Sequence, residues 1–388
     1  MIAKRHPVLV TCIRPADHRA MNSSIPYPAH VAALKPYVPG LPISAVAARS
    51  GLAADRIVKL ASNENPLGAS PRALAALSSA GIDLSRYPDS DCAALSDAIA
   101  RFHDVPREWI VVGAGSESVL GNVAACLLEP GRSTSYAQYS FQAYVNAVQK
   151  LGAHSTVVAS PDFTVDLEGL ARSILPSTSL VYIANPGNPT GTAVDPEALR
   201  SFLGRVPPHV VVLLDEAYVE FLPPDRRGDS VAWVREHANL VVTRTFSKAY
   251  GLAGLRVGYG IAQPGLADVM RRVRSPFTIS EPAQVAAIAA LEDQDFIVRT
   301  VAATRQGRAA LVEGLASMGC RCLESHTNFV LADVKGGADF ARRLEQHGLI
   351  VRPVASYGLA DWVRISIGTQ PEIDRLLEVA GAGQPARG

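Results

Sequence analysis

Residues 239–248 read NLVVTRTFSK: an apolar, β-branched run that closes on two hydroxyls and a lysine. A continuous apolar run with no polar alternation suits a strand covered on both faces. The pattern recurs at 109–115 (WIVVGAG), 179–189 (SLVYIANPGNP) and 209–218 (HVVVLLDEAY). Between these runs lie helix-like stretches at 116–128 (SESVLGNVAACLL), 140–152 (SFQAYVNAVQKLG) and 196–206 (PEALRSFLGRV). Strands alternating with helices predict an α/β fold with a mostly parallel central sheet flanked by helices. The C-terminal part reads differently. Residues 282–319 form one long Ala-rich helical stretch, followed by short strand patterns at 328–334, 349–354 and 362–368 around a helix at 337–348. This predicts a smaller α+β C-terminal domain. The expected division is an N-terminal arm (1–59) packing on the small domain, a large domain (60–275) and the small domain (276–388).

The chain has 388 residues, enough for two domains; 48% are hydrophobic and 19% charged, which permits a sizeable core and excludes general disorder. The net charge is +1 and no basic block stands out, so neither nucleic acid nor an anionic membrane surface is an implied partner. The apolar runs fall far short of the roughly 20 residues that span a bilayer. The cysteines, Cys12, Cys92, Cys126, Cys320 and Cys322, are odd in number and suit free thiols in a reducing cytoplasm. The close pair Cys320 and Cys322 has no companion pair, and the nine histidines show no metal-binding spacing, so no metal is expected. Near the N-terminus, VLVTCI is too short for a signal sequence and is followed by Arg14 and Pro15; a cytoplasmic location is expected, with Met21 a second candidate start.

Polar groups gather where the apolar runs end, and in open α/β sheets ligands bind outside the carboxyl ends of the strands. Gly113 and Gly115 precede a helix whose first N–H groups, at Ser116 and Glu117, would face an anion. Serine at 118 breaks the dinucleotide-binding spacing of three glycines. Asn185, Asn188 and Thr190 lie among prolines and glycines at the end of the second run. Asp215 closes a buried run, where a carboxylate is costly unless paired or hydrogen-bonded, and Tyr218 follows within reach. Lys248 lies just past the fourth run. A desolvated lysine is a neutral amine that attacks carbonyls. Thr245, Ser247 and Arg256 would hold a phosphate beside it. Taken singly, each has an ordinary reading as a turn, a cap or a core residue. Together they fit pyridoxal 5'-phosphate, with the aldehyde on Lys248, the ring nitrogen on Asp215, and the ring hydroxyl near Asn188 and Tyr218.

Over residues 30–380 the sequence resembles the fold-type I pyridoxal-phosphate aminotransferases, and within them the histidinol-phosphate aminotransferases. The resemblance is carried by PYVPGLP (36–42), LASNENPLGASP (60–71), RYPD (86–89), NPGNPTG (185–191), DEAYVEF (215–221), TFSKAYGLAGLRVGY (245–259), TNFVL (327–331), IVRPV (350–354) and VRISIGT (363–369). It implies that Lys248 forms the Schiff base and then moves the proton, that Asp215 pairs with the ring nitrogen, and that Asn188 and Tyr218 bond the ring hydroxyl. Gly115, Ser116, Glu117, Thr245, Ser247 and Arg256 would surround the phosphate. Phe141 is the first candidate to stack on the ring and Tyr139 the alternative. The resemblance also implies a homodimer in which Tyr87 reaches the neighbouring site. Arg364 would grip the anionic end of the amino substrate with Asn188 beside it, and Tyr37 and Arg352 would line the substrate side.

The implied reaction transfers the amino group of histidinol phosphate to 2-oxoglutarate. Gly187 stands where the family usually has asparagine, and 357–368 (YGLADWVRISIG) resembles a subgroup that also suits aromatic amino acids. The alternative substrate class is therefore phenylalanine or tyrosine. A decarboxylase of a phosphorylated amino acid and a non-catalytic aminotransferase-like domain rank lower.

Overall fold

The structure, a computed structural model, describes residues 26–34 and 40–382. Its strands are β1 (Val58–Lys59), β2 (Ile110–Gly113), β3 (Ser133–Ala137), β4 (His154–Val158), β5 (Thr178–Ala184), β6 (Val211–Asp215), β7 (Leu240–Thr245), β8 (Gly258–Ile261), β9 (Arg321–Cys322), β10 (Phe329–Asp333), β11 (Leu349–Ile350), β12 (Arg352–Val354) and β13 (Leu359–Ser366). The central sheet has the order β2-β8-β7-β6-β5-β3-β4. Every neighbouring pair is parallel except those made by β8, which runs against β2 and β7.

The apolar runs form the sheet's middle strands because both of their faces are covered. Val212, Leu214 and Val242 join a core with Phe202, Phe246 and Tyr250. Val211, Leu213 and Val241 point the other way, onto Val119, Leu120 and Val123 of the helix Ser116–Leu127. Each such side chain contributes about 1.5–3 kcal/mol on leaving water. Strands β3 and β4 carry no comparable apolar signal. β3 is STSYA, fully buried, and its hydroxyls are satisfied inside: Ser133 bonds Thr178 at 3.1 Å and Thr134 bonds Tyr144 at 2.5 Å.

A second sheet, β12-β13-β10-β9, is antiparallel throughout, and β1 pairs in parallel with β11 beside it. The N-terminal segment thus reaches the C-terminal part through a strand pair. The single helix expected over 282–319 is two helices, Glu281–Glu292 and Gln294–Ser317. Asp293 interrupts them (φ −91, ψ 59), and its carboxylate accepts from the Phe296 N–H to cap the second. The first packs on the helices Pro71–Ser79 and Ala93–His103, beside the large sheet. The second packs on Gln370–Ala382 and β10.

Candidate active site

The carboxyl ends of β2, β3, β5, β6 and β7 open on one side of the sheet, into a cavity that the second sheet also borders with Arg352 and Arg364. Twelve of the residues singled out in the sequence line it: Ser116, Glu117, Phe141, Asn188, Asp215, Tyr218, Thr245, Ser247, Lys248, Arg256, Arg352 and Arg364.

Lys248 lies just beyond β7, and its Nζ donates to the Ser62 carbonyl oxygen at 3.0 Å. Burial, reinforced by the positive charges of Arg364 and Arg256, lowers its amine from the ordinary 10.5 to about 7. At neutral pH such an amine both takes and gives a proton. Asp215 ends β6. Its carboxylate accepts from the Tyr182 hydroxyl at 2.9 Å, the Thr243 hydroxyl at 3.2 Å and the Ala217 N–H at 3.2 Å. These donors are neutral, and among the described residues no cation pairs with it. Burial raises its carboxyl to about 6. A carboxylate this deep, held only by neutral donors, is prepared for a cationic partner.

At the other end of the cavity, the helix Ser116–Leu127 begins after Gly115 with no side-chain cap, leaving its first N–H groups for a ligand. Two close approaches fix this corner. A Cβ on Gly258 would lie 2.3 Å from the Ser116 nitrogen, and one on Gly115 (φ +77) would lie 2.5 Å from Arg256 Nη2. Arg256 donates to the Ser247 hydroxyl at 3.3 Å, and the Ser247 N–H donates to Thr245 Oγ1 at 3.1 Å. A guanidinium, two hydroxyls and a helix N-terminus thus converge as a dianion cup.

The third side belongs to the second sheet. Arg352 and Arg364 are register partners across β12 and β13. Arg364 donates to Asn188 Oδ1 at 2.6 Å and to the Ala61 carbonyl at 2.7 Å. Phe141 lines the cavity; Tyr139 does not, and stacks instead on Phe163 at 5.3 Å in an aromatic cluster with Trp362. Tyr87 is outside its own chain's cavity, 82% exposed and stacked on Phe277. Tyr37 lies outside the described residues. Sequence reasoning missed Ala61, Ser62 and Asn63, which line the cavity, as well as Tyr182 and Thr243, which hold Asp215. The run of polar residues in LASNEN was a signal for Asn63. The carbonyls of Ala61 and Ser62 leave no trace in side-chain chemistry.

The profile of the aminotransferase class I and II family matches residues 55–379. The chain belongs to that family. Histidinol-phosphate aminotransferase 2 of Ralstonia nicotianae is 49% identical over 349 residues, covering 89% of this chain and 93% of its own. Histidinol-phosphate aminotransferase 1 of Cupriavidus pinatubonensis is 47% identical over 362 residues, covering 92% and 96%. Among solved structures, histidinol-phosphate aminotransferase from Sinorhizobium meliloti in complex with pyridoxal-5'-phosphate superimposes with a TM-score of 0.83 at 29% identity, covering 94% of this chain and 98% of that one.

The buried amine gives this aminotransferase a pH-dependent stability in the absence of any ligand. Between about pH 7 and 10.5 the unfolded chain binds a proton at Lys248 that the native chain does not, so the lysine's contribution to stability rises with pH across that window. Lys248→Met removes the penalty. In thermal unfolding of ligand-free protein, the variant is expected to melt above wild type at pH 7, with the gap narrowing as the pH is raised towards 10.

Proposed function

We propose that this aminotransferase uses pyridoxal 5'-phosphate, attached through Lys248, to exchange an amino group between histidinol phosphate and 2-oxoglutarate, the transamination of histidine biosynthesis. The observation that carries the reading is the placement, in one cavity, of a near-neutral lysine, a buried carboxylate that the described residues hold with neutral donors, a dianion cup and an arginine pair. The fit to the cofactor rests on the two ends of the cavity. The cup around the Ser116 N–H suits a phosphate, and Asp215, held by neutral donors, suits a protonated ring nitrogen.

When bound, the cofactor supplies a conjugated electron sink that acidifies the substrate's Cα–H. The protein's residues do the rest. Lys248 Nζ would hold the aldehyde end and, as an amine lowered to about 7, would serve as the acid–base group for the proton of the substrate carbon. Asp215 would hold the ring nitrogen's proton, Tyr218 and Asn188 would bond the ring oxygen, and Phe141 would cover a ring face. Arg364 and Arg352 receive the anionic groups, a phosphate in one half-reaction and a dicarboxylate in the other.

The chain is further proposed to act as a cytoplasmic homodimer. Tyr87, Phe277 and Leu84 expose apolar surface at 82%, 46% and 81%, and Tyr87 in such a face would reach the partner's site. The substrate reading is tested by steady-state comparison. Histidinol phosphate, whose phosphate engages the arginines more strongly than a single carboxylate does, is expected to exceed phenylalanine in kcat/KM by about 10- to 100-fold. A higher value for phenylalanine would make this an aromatic amino-acid aminotransferase, and release of carbon dioxide in turnover would make it a decarboxylase.

A further inference from the structure

Asn63 takes no part in the roles assigned above, yet among the described residues it is the most deeply buried polar residue of the cavity wall. It is 1% exposed and lies in the left-handed backbone region (φ +56), a conformation that asparagine tolerates better than most residues. Three contacts from the second sheet's side hold it there. Its N–H donates to Ser366 Oγ at 2.8 Å, its Oδ1 accepts from the same hydroxyl at 3.0 Å, and its carbonyl accepts from Asn328 Nδ2 at 2.9 Å. Its remaining group, Nδ2, donates to the Tyr218 hydroxyl at 2.9 Å. The two preceding carbonyls hold the functional cations, Ala61 receiving Arg364 and Ser62 receiving Lys248.

This arrangement fixes the direction of a proton. Ser366 Oγ accepts the Asn63 N–H, so its own hydrogen goes to Asn63 Oδ1. Turning the amide over would take away the acceptor that this hydrogen now has, in a buried place where an unmade bond is costly. The amide nitrogen therefore faces Tyr218. An amide NH2 is a donor only, and a phenol has one proton. With Asn63 donating to its oxygen, Tyr218 keeps that proton for another acceptor.

We propose that Asn63 is a positioning residue for transamination. By donating to Tyr218 it directs the tyrosine's proton into the cavity, towards the ring oxygen of the cofactor, and Ser366 sets its orientation from the second sheet. The inference rests on the pyridoxal-phosphate reading above. Its consequence is electrostatic: a hydrogen bond donated to the ring oxygen favours the negatively charged form of that oxygen, so losing it raises the pH at which the lysine-bound cofactor gives up its proton.

The test is a pH titration of the visible band of the bound cofactor in wild type, Asn63→Gly, Tyr218→Phe and the double variant. Glycine keeps the left-handed backbone without strain and removes only the amide. The charged groups around Lys248, which are Arg364, Glu64, Arg256 and Asp215, are unchanged in every variant. Asn63→Gly is expected to raise the midpoint by about half to one pH unit, and to add almost nothing once Tyr218 is phenylalanine. Ser366→Ala, which frees the amide to turn, should move the midpoint the same way by less, and it stands in if Asn63→Gly does not fold. An unchanged or lowered midpoint, or a shift that adds fully to that of Tyr218→Phe, would overturn the proposal. A wild type that binds no pyridoxal phosphate would instead remove the functional reading beneath it.

Discussion

Lys248→Ala is expected to lower kcat by about 10⁴-fold or more and to abolish the visible band of the bound cofactor, while the protein stays folded. The size follows from two roles ending at once. A positioned acid–base group contributes about 10²–10⁴-fold. Loss of the covalent anchor adds to this, because the substrate amine must then react with an aldehyde that no lysine has activated. Stability should not fall, since the amine removed is one whose charge the site disfavours. Lys248→Arg gives no rescue: a guanidinium neither releases its proton near neutrality nor forms the same covalent bond. Steady-state rates, an absorbance spectrum and a melting curve on the same preparation separate these outcomes.

Asp215→Asn is expected to reduce kcat/KM by about 10²–10³-fold with little change in melting temperature. The replacement keeps the side chain's size and its acceptor oxygen, so Thr243 and the Ala217 N–H retain a partner. What disappears is the negative charge. In the structure that charge is buried among neutral donors, with its carboxyl raised to about 6. A ring cation facing it would lower this value and keep it ionised at pH 7. Removing one member of a buried ion pair costs about 3–5 kcal/mol, which sets the upper end of the expected loss. Retention of cofactor through gel filtration, measured alongside the kinetics, shows whether the loss falls on binding or on turnover. An unimpaired variant would mean that the carboxylate serves only to hold Tyr182 and Thr243.

The charged members of this site were legible in the sequence because each contradicts its surroundings. Asp215, Lys248 and Arg364 stand in or at the end of apolar strand patterns, where only a partner or a function keeps a charge. The middle of the large sheet was legible for the same reason, through its apolar runs. Strand β3 was not, because its side chains are hydroxyls that satisfy one another inside. Strand β8 was not legible either, because GYGI offers no apolar run; its Gly258 lets Ser116 approach. The break at Asp293 was hidden by the alanines on both sides of it. Asn63 escaped because its meaning lies in a left-handed backbone and in contacts with residues 155 and 303 positions away. The sequence ranked Phe141 ahead of Tyr139 by spacing alone; that Tyr139 packs on Phe163 while Phe141 lines the cavity is visible only in three dimensions.

The most direct test of the central claim is to find where the cofactor is attached. Purified protein loaded with pyridoxal 5'-phosphate is reduced with borohydride, digested and mapped by mass spectrometry. The structure predicts a single pyridoxyl group per chain, on the peptide that carries Lys248. Attachment at any of the other five lysines, Lys4, Lys35, Lys59, Lys150 or Lys335, or at no lysine, would contradict the account.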